Sequence, residues 1–342
     1  MSTIDNKTMN YFKSFLEQLE ILDASNFDEL ALGLFKFQAG ENEVYKAYLD
    51  ARGINSEEVQ RVEDIPFLPI GFFKSHQVIC GESALFSDFY SSSGTTGQIT
   101  SRHYVWSSDF YLNHAETLFE SFYGELSDFH VLALLPAYLE RKGSSLVAMA
   151  DHFIKKSNSD QSGFYLYNYQ ELIEKLQYLK SVNDGKKVLL LGVTFALLDL
   201  AERYEEKFPQ MSNLIVMETG GMKGRRKEMI REEVHDIYKS AFKVDPIHSE
   251  YGMTELMSQA YSKGNGKYLL PRSMKVFLRD VNDPLSWSKK AQGGVNIIDL
   301  ANFHSCAFIE TQDLGRFDED GMLEILGRFD NSEVRGCNLM VN

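Results

Sequence analysis

The stretch Ser91-Ser92-Ser93-Gly94-Thr95-Thr96-Gly97-Gln98 decides how the rest of the chain is read. Three serines, two threonines and two glycines fill the seven positions from Ser91 to Gly97. Glycines permit tight backbone turns that expose N–H groups, and hydroxyls add further donors, so such a loop can surround phosphate oxygens. It is not a Walker A loop, because no Gly-Lys-Ser/Thr follows. Taken alone it reads equally as a small polar connector. Outward from it, the aromatic run Phe86–Tyr90 reads as a strand leading in, and a helix is expected to begin near Ser107.

Three later stretches have the same character. In Ser249-Glu250-Tyr251-Gly252-Met253-Thr254-Glu255, Glu255 is a carboxylate suited to magnesium, Thr254 a phosphate donor and Tyr251 a flat surface for a ring. The plainer reading makes Glu255 a helix cap or a solvent-facing residue. In Thr311-Gln312-Asp313-Leu314-Gly315-Arg316, an Asp in a turn can accept two vicinal hydroxyls, although such an Asp commonly shapes only its own turn. Gly327-Arg328-Phe329-Asp330 follows just beyond a short strand.

Between these stretches the pattern alternates. Met9, Phe12, Leu16 and Leu19 recur at helical spacing, and the first ~60 residues read as helices until Pro66 and Pro69 interrupt them. Ile70–Ile79 reads as a bend running into a strand. His130–Leu135, Lys187–Leu191 and Leu214–Met217 read as strands. The helical faces Phe110/His114/Leu118/Phe122, Leu172/Leu176/Leu179 and Met229–Ala241 lie among them. In the last of these, Met229 and Ile230 are expected on the buried side. Such alternation predicts a largely parallel sheet covered by helices. After residue 265, Tyr268–Val276, Gly294–Asp299 and Met322–Leu326 predict a β-rich close.

Composition narrows the class. Apolar residues make up 44% and charged residues 25% of the 342, which is ordinary for a globular chain. A net charge of −14 excludes a general nucleic-acid binder but leaves room for one small nucleotide site. The polar beginning lacks a signal peptide's apolar core, and Val188–Leu198 is too short for a membrane span. Three scattered cysteines, Cys80, Cys306 and Cys337, predict a reducing, cytoplasmic setting without disulfides, and no spacing suits structural zinc. Cys80 and Cys306 stand in apolar runs and read as buried small hydrophobes. His248 reads as an acyl-pocket residue or a structural histidine, and Gly224-Arg225-Arg226-Lys227 as solvated surface.

The four motifs, in this order, resemble those of the adenylate-forming enzymes, which include acyl-CoA synthetases, luciferases and peptide-synthetase adenylation domains. The resemblance runs from about Phe86 to the end of the sequence. It implies an α/β protein built as the large N-terminal part of the adenylate-forming fold, with mainly parallel sheets covered by helices and a β-rich subdomain. The usual small C-terminal domain is expected to be absent. The expected division is a helical segment, 1–65, and an acyl-activating domain, 66–342, β-rich from about 266. ATP and Mg²⁺ are the implied cofactors. Ser91, Ser92, Ser93, Gly94, Thr95, Thr96 and Gly97 would hold the β- and γ-phosphates, and Thr254 the α-phosphate. Glu255 would hold magnesium. Glu250, Tyr251, Gly220 and Gly221 would border the adenine, and Asp313 would take the ribose hydroxyls with Arg328 beside it.

A closer resemblance is to the LuxE-type acyl-protein synthetases. It is carried by Pro69-Ile70-Gly71-Phe72-Phe73-Lys74, by Gly97-Gln98 and by Glu333-Val334-Arg335-Gly336-Cys337-Asn338-Leu339-Met340. It implies activation of a carboxylate, a long-chain fatty acid above all, to acyl-AMP. The acyl group would then pass to Cys337 as a thioester and on to a partner protein such as an acyl reductase. Direct transfer to coenzyme A or a carrier protein is the alternative, and a non-catalytic partner-binding protein is a third. The combination of Glu255, Asp313 and Arg328 argues against the third. Ile99-Thr100 stand where the wider family has Pro-Lys, and Arg102 is the substitute cation on this reading. Cys337 lies seven residues past Asp330, a tether of at most about 25 Å.

Overall fold

The computed structural model describes residues 3–92, 100–136, 143–221 and 229–329, which form two compact units. The first combines 1–85 with 272–342 and the second is 86–271. In chain order the first unit supplies α1 (Thr3–Glu20), α2 (Phe27–Glu41), α3 (Glu43–Ala51), β1 (Leu68–Pro69) and α4 (Phe72–Ser75). The second supplies β2 (Asp88–Ser91), β3 (Arg102–Val105), α5 (Ser108–Tyr123), β4 (Phe129–Leu134), α6 (Ser145–Lys156) and β5 (Gly163–Tyr165). It continues through α7 (Tyr169–Val182), β6 (Lys187–Val193), α8 (Thr194–Tyr204), β7 (Leu214–Thr219) and α9 (Arg231–Phe242), and closes with β8 (His248–Tyr251), β9 (Ala260–Ser262) and β10 (Lys267–Leu269). The chain then returns to the first unit with β11 (Met274–Arg279), β12 (Gln292–Asp299), β13 (Phe308–Phe317) and β14 (Leu323–Arg328).

The opening helices belong with the closing strands because their apolar faces need a lid. Phe12 and Phe15 of α1 are buried and each lies 5.4 Å, centroid to centroid, from Phe303. Phe35 of α2 meets Phe308 at 5.8 Å. Burying a side chain of this size contributes about 1.5–3 kcal/mol. The buried amide of Gln38 completes the join. Its Nε2 donates to the Asn302 and Phe303 carbonyls, and its Oε1 accepts from Ala307 N. β11, β12, β13 and β14 pair antiparallel in that order, and β1 adds in parallel to β13. Arg279 of β11 lies inside this sheet, and Gly294 makes its room, since a Cβ there would stand 2.5 Å from the guanidinium carbon.

In the second unit the parallel order is β5-β4-β6-β7-β8, with β9 and β10 added antiparallel beyond β8. Every residue of β4 is buried, as are all but the first of β6, and burial on both faces is why these strands read as unbroken apolar runs. Winding reverses at β4. The connection through α6 leads to β5 on one side, and that through α7 returns past β4 to β6 on the other. Open α/β sheets bind ligands in the crevice at the strands' carboxyl ends beside such a reversal. β2 and β3 form a separate hairpin, Ser91 facing Arg102, that flanks residues 93–99.

Local expectations failed in four places. Ile70–Ile79 contains no strand, since β1 ends at Pro69. Phe72–Ser75 makes one helical turn, and Cys80 N then donates to His304 O at 2.9 Å in irregular backbone. Tyr268–Val276 is two strands, parted by Pro271, which cannot donate to a ladder. Ile230 precedes α9 with extended backbone and is 62% exposed. The Asp313 segment is not a turn but the middle of β13, with the pairing shifted just after it between Leu314 and Gly315.

Candidate active site

The carboxyl ends of β7 and β8 gather the motif residues of the second unit. Thr219 and Glu250 are paired in register, so Gly220 and Gly221 leave β7 beside Tyr251, the last residue of β8, after which Gly252 leaves the strand. Thr219 Oγ1 donates to Glu250 Oε2. Glu250 is 6% exposed. Gly252 is glycine for want of space: a Cβ there would collide with Glu250 Oε1. Alternation along β8 sends Tyr251 to the other face, where its ring meets Tyr268 at 5.8 Å. Glu255 follows in a turn, 6% exposed, and no helix begins there, so it neither caps a helix nor faces solvent.

His103 ties this turn to the loop hairpin. It lies on β3, fully buried, one residue past the strand's pairing with Ser91, and its Nδ1 is 2.8 Å from Thr254 O. A carbonyl only accepts, so Nδ1 carries the hydrogen. Ser91 and Ser92 are held at the hairpin end, Ser91 N donating to Gly143 O at 2.7 Å and Ser92 N to Ser101 O at 3.1 Å. Ser93, Gly94, Thr95, Thr96 and Gly97 lie outside the described residues. Arg102 lays its guanidinium over the Phe89 ring at 5.5 Å.

Two histidines line the α5 side of this sheet. Burial pushes His114 down to about 4, with Nε2 3.0 Å from Ser258 Oγ. Burial, then the nearby Lys263 ammonium, push His248 to about 4, and Tyr123 OH donates to its Nδ1 at 3.2 Å. Both are neutral at pH 7.

In the first unit Asp313 and Arg328 face each other across β13 and β14. Arg328 Nε donates to Asp313 Oδ1 at 3.2 Å. Asp313 is 5% exposed, whereas the Arg328 side chain is 73% exposed, so the pair presents a buried carboxylate and an exposed cation. Thr311 braces the segment by accepting from Asp313 N at 3.1 Å through Oγ1. Cys80 and Cys306 are buried, and burial raises Cys80 well above the usual thiol range and Cys306 to about 12, so neither is a ready nucleophile. Cys337 and Gly224-Arg225-Arg226-Lys227 lie outside the described residues. His103 and Thr219 escaped the sequence reading, because a single His or Thr on an apolar strand carries no local signature.

No family model matches the sequence, and no curated protein matches it. Solved structures do. One is a 2-hydroxyisobutyryl-CoA ligase in the postadenylation state, 13% identical, with a TM-score of 0.67 over 90% of this chain and 69% of that one. Another is ATP-bound MatB from Rhodopseudomonas palustris, 15% identical, TM-score 0.52, covering 71% of this chain and 48% of that one. A luciferase-like enzyme from the nonluminescent mealworm Zophobas morio is 14% identical, TM-score 0.50, covering 77% and 62%. The fold is therefore that of the large N-terminal part of the adenylate-forming enzymes, and the chain spans about half the length of MatB. Among the described residues, no helix is long and apolar enough to cross a membrane.

Proposed function

We propose that the protein is an AMP-forming acyl-activating ligase. The observation that carries this reading is the convergence at the ends of β7 and β8. Thr254, Glu255, Glu250 and the Gly220-Gly221 turn meet there, and His103 fastens the Thr254 turn to the hairpin flanking residues 93–99. In the reaction a substrate carboxylate oxygen bonds to the α-phosphorus of ATP and the bond to pyrophosphate breaks. Thr254 donates to the α-phosphate and Ser91 and Ser92, with residues 93–97, hold the leaving phosphates; Asp313 with Arg328 is the ribose acceptor that the family resemblance implies. Donors already in place where charge develops need no reorganisation during the step.

The residues suit magnesium. Among the described residues no three His, Cys, Asp or Glu side chains form a protein-only cage. Magnesium typically takes one or two carboxylates together with substrate phosphates, and Glu255 is the buried carboxylate at the turn. When bound, the ion neutralises phosphate charge.

The LuxE-like ending supports the finer reading. The acyl group of a fatty acid passes to Cys337 as a thioester and then to a partner protein, in the cytoplasm. Arg335 favours the thiolate. The burial of Cys80 and Cys306 argues against both as acyl acceptors and leaves Cys337 as the candidate among the three. Coenzyme A is the second acceptor considered, favoured by the likeness to a CoA ligase. The test is ATP–pyrophosphate exchange across a panel of carboxylates, followed by intact-mass measurement with and without coenzyme A. Exchange with a hydroxylamine-labile adduct that vanishes in Cys337→Ser supports the thioester route. Acyl-CoA supports the other. No exchange with any acid refutes the ligase reading.

A further inference from the structure

Behind the Gly220-Gly221 turn, on the side away from Glu250, lies a buried polar relay. Glu218 of β7 is 6% exposed, and its Oε1 faces His235 Nε2 at 3.0 Å, Ser249 Oγ at 3.2 Å and Arg231 Nε at 3.7 Å. Its Oε2 accepts from Thr194 Oγ1 at 3.2 Å. The same hydroxyl also lies 3.1 Å from Gly220 O, so one hydrogen is shared between the two acceptors. Thr194 is fixed from its other side, because its carbonyl accepts from Tyr238 OH at 2.7 Å.

The peptide after Gly220 is planar and trans, so its C=O and the following N–H point in opposite directions. Holding Gly220 O toward Thr194 aims Gly221 N–H away from α8. Gly220 has φ +71° and both glycines are exposed. The relay spends a buried carboxylate, a histidine and two hydroxyls on the orientation of one exposed peptide. A buried polar group is costly unless hydrogen-bonded, and one of Glu218's partners is Thr194, which ties the orientation of the exposed peptide to the buried relay.

We propose that Thr194, held by Glu218, is a positioning residue for the nucleobase, acting through the Gly220-Gly221 peptide. The proposal rests on the reading above in which this turn borders adenine. It makes base selectivity depend on a hydroxyl that does not touch the nucleotide.

The test uses the full chain. Thr194→Val keeps the side-chain shape and removes the donor, and Thr194→Ser restores it. ATP, GTP and AMP affinities are read by calorimetry, KM and kcat by pyrophosphate exchange, and unfolding midpoints in urea. For Thr194→Val the expected results are a five- to tenfold weaker ATP affinity, the size of one lost hydrogen bond, and an ATP-over-GTP preference falling toward one. The KM for ATP rises while kcat stays within about threefold, and Thr194→Ser recovers the preference. A Thr194→Val protein that loses only unfolding midpoint, with affinity and base preference intact, overturns the proposal. If the wild type binds ATP selectively but exchanges no pyrophosphate, the ligase reading falls, and the positioning role is still decided by calorimetry. Wild type that binds no adenine nucleotide overturns both.

Discussion

Replacing Arg279 with methionine tests how the carboxylate of Asp313, proposed to take the ribose, is held. The guanidinium is 5% exposed and donates through Nη1 to Val295 O at 3.0 Å and Asn296 Oδ1 at 2.8 Å, and through Nη2 to Thr311 O at 2.6 Å. Glu310 Oε1 stands 3.7 Å from its Nε. Methionine fills most of the space but donates nothing. Val295 O keeps Thr311 Oγ1 at 2.7 Å, so the groups that lose this donor are Asn296 Oδ1, Thr311 O and the Glu310 carboxylate. Removing one partner of a fully buried charged pair costs about 3–5 kcal/mol. Glu310 is half-buried, so the expected loss is lower and comes mostly from the unsatisfied buried acceptors, about 1–3 kcal/mol. That is still a large share of the ~5–15 kcal/mol of a whole domain. Urea unfolding at pH 8 reads this loss. The deficit should shrink at pH 5. Burial already raises Glu310, and Arg279 is the first group opposing that shift. Without Arg279 its folded pKa rises further above the unfolded value, so the penalty is present at high pH and relieved as Glu310 protonates. Thr311 accepts from Asp313 N, so ATP affinity should fall with stability. A deficit below about 1 kcal/mol, under the range expected for unsatisfied buried acceptors, or one independent of pH, refutes the bracing role.

Asp313→Ala should weaken ATP by about 10- to 150-fold, the loss of a charge-assisted acceptor. The variant should also stop distinguishing ATP from 2′-deoxy-ATP in calorimetry, and persistent discrimination would place the ribose elsewhere. Glu255→Gln is near-isosteric and should abolish pyrophosphate exchange while leaving the circular dichroism spectrum unchanged; exchange at the wild-type rate would remove Glu255 from the metal role. His114 and His248, both lowered to about 4, contribute stability that is present above about 6.5. It is lost as the pH falls toward 4, because the unfolded chain binds the protons first, with a slope of up to about 1.4 kcal/mol per pH unit per histidine. His114→Gln/His248→Gln should flatten the acid limb of the stability–pH curve, and an unchanged slope would show that other groups set it.

The parallel strands were legible because burial on both faces forces unbroken apolar runs: Val188–Val193 can be read without a structure. The helices of the first 51 residues were legible through their spacing. β13 was not. Thr311 and Asp313 are polar yet buried, while Gln312 between them is exposed, so the strand's inward residues look like turn residues. Its polar interior exists to serve Arg279 and Arg328, which come from other strands. The candidate site was legible where chemistry concentrates in sequence, as in Glu250–Glu255. It was invisible where a residue acts across the sheet: His103 lies 151 positions from Thr254 and 147 from Glu250. Nothing local marks such a histidine.

The split of the first unit across the chain has a consequence for synthesis. Phe12, Phe15 and Phe35 receive their partners Phe303 and Phe308 nearly three hundred residues later. The second unit, 86–271, is continuous and can close its core as soon as it leaves the ribosome. The leading helices must wait, with an apolar face uncovered, until an entire unit has been made behind them. A nascent chain whose residues 303–328 are still inside the ribosome would present that face to chaperones, while a released chain would not. The opening eighty-five residues are, in time, among the last to be finished.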